Sequence, residues 1–303
     1  MNLTLLISML PLLAPLRESD AAALDVLRAA EAQRLALGSG TIELRWSERR
    51  DGVEAVTFDA EAFFSGLDKY GMTLRRHSFY RGQPVERRDP QCIQVVNGPT
   101  LYGMWYSGPT QRFFADEPRH ARLTLFHPLG LGLFAYPLPA ADGDTLFFWH
   151  GATARSVAAP CGSQHERHIA VQGTGRSGPY SGEIRIDPSR GWSVTEYSAT
   201  VGEGCKLSVR NAPTRFGAFW YPAQTWMSVR FPDGQTIDVY VEVLRAEFGV
   251  RPPEDAFTFA ALGPPDDGRP KALVLDYRVG GGALGWWDGQ ALREPSRECR
   301  PGP

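Results

Sequence analysis

The residues that could form a metal site lie close together in one stretch of the sequence. Cys161, His165 and His168 have a spacing that metal ligands can adopt, and Glu166 lies between the two histidines. A zinc site of this kind usually takes a fourth ligand at a matching offset, and a His-Glu-x-His spacing does not place both imidazoles on one face of a helix. The pattern therefore favours a polar loop, and we expect no metal site.

Two stretches match the G-x-G-x-x-G spacing of dinucleotide-binding loops, at residues 173–178 and 280–285. A dinucleotide site needs a strand before the glycines and a helix after them, because the N-terminus of that helix holds the pyrophosphate. The first stretch leads into an alternating pattern around Ile184, and the second leads into Trp286 and Trp287. We interpret both stretches as loops and expect no cofactor.

Other signatures of a catalytic centre are missing from the sequence. It contains no G-x-S-x-G elbow, no P-loop and no H-E-x-x-H pair, and its carboxylates show no distinctive pairing. Catalytic carboxylates can still come together in space without a local signature. We predict no catalytic residues, and a secreted hydrolase acting on an envelope polymer is the alternative.

The charge balance excludes one class of ligand. The chain of 303 residues carries 32 Lys and Arg against 34 Asp and Glu, a formal net charge of -2. Binding to DNA or RNA depends on a strongly basic surface, so neither is expected as a partner. Because 43% of the residues are hydrophobic, the chain can bury a core without a partner, and we expect a monomer.

An apolar leader opens the sequence. It runs from Leu3 to Leu16 without a charged side chain, which is too short to span a bilayer but suits the apolar region of a signal peptide. No Lys or Arg precedes it, and the candidate cleavage site at residues 21–23 follows three charged residues. We predict a signal peptide or apolar leader over residues 1–22 and export to the periplasm or the medium, with an uncleaved anchor or a misassigned start as alternatives.

The four cysteines, Cys92, Cys161, Cys205 and Cys299, are widely spaced and form no C-x-x-C pair. This spacing argues against a zinc ribbon or a thioredoxin-like redox site. In an oxidising compartment the cysteines would pair, and three connectivities are open. We favour a disulfide between Cys161 and Cys205, because both lie in glycine-containing turn regions that bracket a predicted hairpin. Free buried thiols are the alternative.

The rest of the chain is organised as one helix followed by strands. Asp20 supplies N-cap chemistry and Gly38 suits a left-handed position after a helix, so we predict a helix over residues 20–37. From Gly40 the period of the apolar residues changes from 3.6 to 2, which is typical of strands with one apolar face. The Asp51-Gly52 pair predicts a hairpin turn.

Antiparallel strands are also predicted towards the C-terminal end, where residues 187–244 show regularly spaced turn signals and the clearest hairpin surrounds Asp233-Gly234. The middle of the chain, about 81–180, is less regular, and we interpret it as a long insertion with short helices or turns that forms a lid over one mouth of the sheet. We therefore predict one domain over residues 23–303.

Large apolar side chains occupy one face of the predicted strands. If the sheet is strongly curved, such residues line an apolar cavity, although ordinary core packing is the alternative reading. We predict that the ligand-binding face contains Leu44, Trp46, Phe58, Met227, Val229 and Val241.

The strands carry a further series of turn and strand markers, namely residues 184–188 with Gly191, residues 217–222, the Asp233-Gly234 turn, residues 257–259 and residues 274–276. Together with the order of elements, these markers resemble the LolA-like family of outer-membrane lipoprotein-sorting proteins, in its longer variant with an insertion that contains a Pro-Leu-Gly-Leu step, here Pro128 to Leu131. The resemblance covers about half of the chain. It implies a mainly β (α+β) fold, in which a strongly curved antiparallel sheet forms an open half-barrel around helices, with an interior that shields lipid chains.

We therefore expect a carrier or sensor of the cell envelope, periplasmic or secreted, that holds a lipid or lipoprotein acyl chain or another apolar ligand without covalent chemistry. Its contact with the membrane would be peripheral, and an envelope protein could be a second partner. A structural or interaction module that presents a sheet edge, or Trp286 and Trp287, is the other alternative.

Overall fold

The structure is a computed structural model that describes eleven stretches of the chain. They are residues 19–80, 83–84, 92–107, 110–117, 126–133, 147–158, 165–175, 178–263, 273–277, 283–287 and 292–293.

One α-helix, α1 (Ala21–Leu35), precedes the described strands. The strands are β1 (Ser39–Arg50), β2 (Val53–Ser65), β3 (Lys69–Tyr80), β4 (Gln83–Pro84), β5 (Cys92–Asn97), β6 (Thr100–Ser107), β7 (Thr110–Asp116), β8 (Thr153–Val157), β9 (Arg167–Gly175), β10 (Gly178–Asp187), β11 (Ser193–Val201), β12 (Cys205–Phe216), β13 (Phe219–Arg230), β14 (Thr236–Phe248), β15 (Leu273–Asp276), β16 (Ala283–Trp287) and β17 (Leu292–Arg293). Short 3-10 turns lie at Pro128–Gly130, Pro188–Arg190, Glu254–Phe257 and Phe259–Leu262.

All of these strands belong to one curved, unclosed sheet. Two antiparallel meanders, β1 to β7 and β8 to β14, are joined side by side because β1 pairs with β14. At the far edge of the first meander β15 pairs in parallel with β7, and β16 and β17 follow. The predicted fold, an open antiparallel half-barrel with an N-terminal helix, is confirmed.

Helix α1 begins where the sequence predicts. The carboxylate of Asp20 accepts a hydrogen bond from the backbone N–H of Ala22 at 2.9 Å, and Gly38 has a φ of 64° beyond the end of the helix. The helix thus begins two residues before the domain start predicted at residue 23. Its buried stripe consists of Ala23, Leu27, Ala30 and Arg34. The arginine was not predicted on this stripe.

The hairpin of β1 and β2 forms as the sequence predicts. Burial alternates along β1, and the turn residues Asp51 and Gly52 both have positive φ, 49° and 78°, which a type I′ turn requires. The right-handed twist of the strands matches this turn type. The predicted hairpin of β13 and β14 is also confirmed, and Gly234 in its turn has a φ of 89°.

The described part of the predicted insertion contains more strand than expected. Strands β4 to β9 fall within residues 81–180, where we predicted short helices or turns. In β5 five consecutive residues are buried, because both faces of this strand are covered, and such a strand shows no period of two. Residues 126–133 and 147–152 do have the turn-rich backbone that we expected of a cover.

The main core lies on the concave side of the sheet. Helix α1, residues 126–133 and residues 147–152 pack there against residues from both meanders. On the outer side of β5 to β7, a second core forms against the 3-10 turns of residues 254–262. Among the described residues, no helix combines the length and apolar character needed to cross a membrane.

Candidate functional site

The six residues predicted for the ligand-binding face lie in one buried cluster on the concave side of the sheet. Trp46 is directly opposite Phe58 on β2 and Val241 on β14. Leu44 precedes Trp46 on the same face of β1, and Met227 and Val229 extend the cluster on β13. Each of the six is at most 3% exposed. The structure thus brings them together and covers them.

Phe58, Trp46 and Val241 form an apolar row across three neighbouring strands. Residues 126–133, which we call the plug segment, cover this row. Trp46 stacks between Phe58 of the sheet and Phe126 of the plug segment, with both ring centroids 5.8 Å away. The plug segment also buries Leu129, Leu131 and Leu133. These side chains therefore separate the predicted face from solvent.

His127 attaches the plug segment to the turn between β2 and β3. Its Nδ1 accepts a hydrogen bond from the backbone N–H of Leu129 at 3.1 Å, so Nε2 carries the proton and donates to the carbonyl of Gly66, 3.1 Å away. The ring lies 4.6 Å from that of Tyr70, measured between centroids. Burial lowers the pKa of His127 to about 4, so the imidazole is neutral at neutral pH.

Tyr221 on β13 provides a second attachment. Its hydroxyl donates to the carbonyl of Pro128 at 2.6 Å, and its ring is fully buried beside Phe248, with centroids 5.0 Å apart. Burial raises the pKa of the Tyr221 hydroxyl, and nearby Arg34 opposes that change. The hydroxyl therefore keeps its proton and its bond to the plug segment.

Asn211 on β12 provides the third attachment. Its side-chain amide donates to the carbonyls of Gly132 at 2.9 Å and Val194 at 3.0 Å, while Thr225 donates to its oxygen at 2.8 Å. Every hydrogen-bonding group of this amide is used except one lone pair. Gly132 has a φ of 73°, and a Cβ there would lie 2.2 Å from the oxygen of Asn211, so glycine is required at this contact.

Arg34 is the one charged residue of the buried stripe of α1. Its guanidinium carbon lies 4.9 Å from the centroid of the Tyr221 ring, and its Nη1 is buried without a hydrogen-bond partner in the part of the chain that the structure describes. Burial lowers the pKa of Arg34 to about 10, which still leaves it charged at neutral pH. Gln33 beside it donates to the carbonyl of Trp220 at 2.8 Å.

The possible metal ligands are only partly described. His165 is exposed, whereas His168 is buried on β9 with its Nε2 3.8 Å from a carboxylate oxygen of Glu166. Glu166 also accepts a hydrogen bond from Thr195. Cys161 lies outside the described residues, and those that are described contain no group of three potential ligands.

The first glycine-rich stretch, predicted to be a loop, lies in the hairpin of β9 and β10, where Gly175 pairs with Gly178. Of the second stretch, Gly285 lies in β16, as does the backbone of Trp286 and Trp287, while Gly280 and Gly282 lie outside the described residues. Neither stretch leads into a helix within the described residues.

The predicted disulfide is not present at its described end. Cys205 is a free, partly exposed thiol and Cys92 a free, buried one. Cys161 and Cys299 lie outside the described residues. Burial raises the pKa of Cys92 to about 12, so its thiolate is hardly populated at neutral pH.

Sequence reasoning missed the polar attachments of the plug segment, although the attachment at Asn211 left a signal. Asn211 follows Val209, and Thr225 precedes Met227, each at an inward position of its strand. A polar residue in an otherwise apolar inward series must find a partner in the interior. The partners are distant in sequence, so the plug segment could not be identified from the pattern alone.

No protein-family model matches the sequence, and no curated protein does. Several solved structures, however, resemble the fold. A LolA superfamily protein from Nitrosomonas europaea matches with a TM-score of 0.51 and 12% identity over 79% of this chain and 99% of its own. A domain assigned to outer membrane lipoprotein sorting, from Vibrio parahaemolyticus, matches with a TM-score of 0.54 and 10% identity, over 80% of this chain and 98% of its own. A DUF1329 family protein from Desulfovibrio piger matches with a TM-score of 0.49 and 13% identity, over 81% of this chain and 99% of its own. The first two matches show that the chain has a LolA-like fold, as the sequence resemblance implies.

Proposed function

We propose that this protein is a carrier or sensor of the cell envelope that holds the acyl chain of a lipid or lipoprotein on the concave face of its sheet. The observation that carries the proposal is the continuous apolar row of Phe58, Trp46 and Val241, which the turn-rich plug segment covers through the contact of Phe126 with Trp46. The apolar leader predicted for residues 1–22 supports export, and the LolA-like fold is consistent with an apolar client.

The plug segment must move for a ligand to enter, and the energies permit it. Exposing Leu129, Leu131 and Leu133 costs roughly 5–9 kcal/mol, and the three hydrogen bonds to the segment add about 1 kcal/mol each. A bound acyl chain returns about 0.8 kcal/mol per methylene. Chains of roughly 10–15 methylenes therefore offset the opening, whereas short chains do not. The proposal thus predicts a dependence on chain length.

The first test is binding of lipid to the purified protein. Lipids that co-purify would be identified by mass spectrometry, and binding would be followed by displacement of N-phenyl-1-naphthylamine, an uncharged fluorescent probe. Saturated fatty alcohols of increasing length should displace the probe only once they are long. If no lipid co-purifies and the probe does not bind, the carrier function is wrong.

Two variants distinguish binding under the plug segment from adhesion to a loosened protein. Asn211→Ala removes the attachment at Gly132, and we expect the probe to bind faster. Met104→Ala creates a cavity in the second core, on the other side of the sheet, and serves as the control. An equal acceleration in both variants would show that general destabilisation, and not the plug segment, controls access.

A further inference from the structure

A buried cation without an anionic partner lies at one end of the concave face. Arg34 is 3% exposed, and no carboxylate of the described residues forms an ion pair with it. The ring of Tyr221 offers the guanidinium a π face, but a π face accepts none of the hydrogen bonds that a guanidinium donates in its plane. The donor Nη1 is left without a partner.

This arrangement is costly for the protein alone. A charge withdrawn from water is tolerated when it is paired, and replacing an unpaired one by an apolar side chain commonly stabilises a fold. The position at the C-terminal end of α1 offsets part of the cost, because the negative end of the helix dipole lies there. The dipole does not supply an acceptor for Nη1.

The geometry places Arg34 where the head of an elongated ligand would lie. Tyr221, under the guanidinium, contacts Phe248, which pairs with Gly40 at the start of β1. Trp46 lies six residues further along the same strand, a distance of about 20 Å, which matches a long acyl chain. Ile42 and Leu44, the buried apolar residues of β1 between these two points, thus connect the end near the cation with the apolar row.

The rim of the half-barrel is close to this end. The backbone N–H of Gly66 donates to the carbonyl of Gly38 at 2.8 Å, and that of Gly249 donates to the carbonyl of Ser39 at 2.8 Å. The turns that follow α1, β2 and β14 therefore meet about one helical turn from Arg34. A headgroup bound there would lie near the surface, with its chain directed inward.

We propose that the ligand is an anionic amphiphile whose carboxylate or phosphate headgroup binds the guanidinium of Arg34 while its acyl chain occupies the apolar row. This inference rests on the proposed carrier function and specifies its ligand class. The planar guanidinium matches carboxylate and phosphate oxygens, and the anion supplies the acceptor that Nη1 lacks.

The test compares two ligands that differ only in the headgroup. Hexadecanoic acid and hexadecan-1-ol would each displace N-phenyl-1-naphthylamine in mildly alkaline buffer, where the acid is ionised. The wild-type protein should bind the acid about tenfold or more tightly than the alcohol, as expected for hydrogen bonds to a buried charge.

Two variants of α1 separate the headgroup contact from a general effect of charge. In Arg34→Met the acid should lose its advantage, so that the acid and the alcohol bind alike. Arg28→Gln is the control, because Arg28 lies on the exposed side of the same helix in an ion pair with Asp25. It should keep the wild-type preference.

The outcomes separate the two proposals. If both ligands bind wild-type protein equally, the carrier function stands and the headgroup contact is refuted. That comparison needs no variant, so it decides the question even if Arg34→Met does not fold. If neither ligand nor the probe binds, the carrier function itself fails. Inorganic phosphate is the third ligand tested. If phosphate stabilises the wild-type protein but not Arg34→Met, and neither hexadecanoic acid nor hexadecan-1-ol binds, the site takes free anions and the amphiphile is excluded.

Discussion

Acid should weaken the folded state through His127, whose neutral ring holds the plug segment. The unfolded chain takes up a proton on this histidine near its ordinary pKa of 6.5, whereas the folded protein does so at about 4. Between these values the unfolded state binds more protons, so the free energy of unfolding falls as the pH falls. The gap corresponds to about 3 kcal/mol. At pH values above 6.5 or below about 4, His127 does not change the free energy of unfolding as the pH changes.

The physical reason lies in the two hydrogen bonds of the ring. A proton on Nδ1 would face the backbone N–H of Leu129, so the bond at 3.1 Å would be lost. Asp68 favours the charged form but is a smaller influence than burial. The bond from Nε2 to Gly66 survives protonation, and the turn that starts at Pro128 loses its cap.

His127→Asn is the matched variant for the measurement. Asparagine can still accept from the backbone N–H of Leu129 as an N-cap, but it does not titrate and is too short to reach Gly66. The free energy of unfolding of both proteins would be measured in urea across the acid range. Because the carboxylates titrate in both proteins, their contribution cancels in the difference between the two free energies. We expect the variant to be less stable at neutral pH, and its disadvantage should shrink by about 3 kcal/mol as the pH falls to about 4. A constant difference between the two proteins would refute the assignment of His127.

Three further predictions concern the attachments and the thiols. Tyr221→Phe keeps the ring but loses the hydrogen bond to the plug segment. The free energy of unfolding, measured in urea, should therefore fall by about 1–2 kcal/mol. Gly132→Ala should cost more than about 2 kcal/mol in the same assay, whereas Gly151→Ala, at a φ of 75° with no atom within 4 Å, should cost about 1 kcal/mol. Iodoacetamide, followed by peptide mass mapping, should label Cys205 well before Cys92; equal labelling would contradict the burial of Cys92.

The strands with one solvated face could be predicted from the sequence, because burial on one side imposes a period of two. This holds for β1, β2 and the hairpin of β13 and β14, where turn residues with positive φ also fix the register. Strand β5 was missed since its burial on both faces removes the period. Pairing of β1 with β14 depends on contacts about 200 residues apart along the chain, which local patterns do not encode.

The candidate site could be predicted in part, for a related reason. Apolar residues such as Trp46 and Val241 were assigned to one face because that face follows from alternation. Arg34 was assigned no role from the sequence, since charged side chains are rarely buried without a partner. Its burial depends on the approach of β13 to the helix, which local patterns do not encode either.

In the proposed carrier, the plug segment is held by two kinds of interaction that a bound ligand would affect differently. Its leucines contribute burial, which has no direction, so an acyl chain can replace them on the apolar row without loss. Tyr221 and Asn211 donate to its backbone carbonyls, and His127 donates to the sheet, in bonds that a hydrocarbon cannot replace. Opening therefore costs the hydrogen bonds whichever apolar ligand enters. The proposed carrier function therefore implies that the hydrogen bonds control chiefly how often the segment opens, whereas the match between leucine burial and chain length controls which ligand keeps it open.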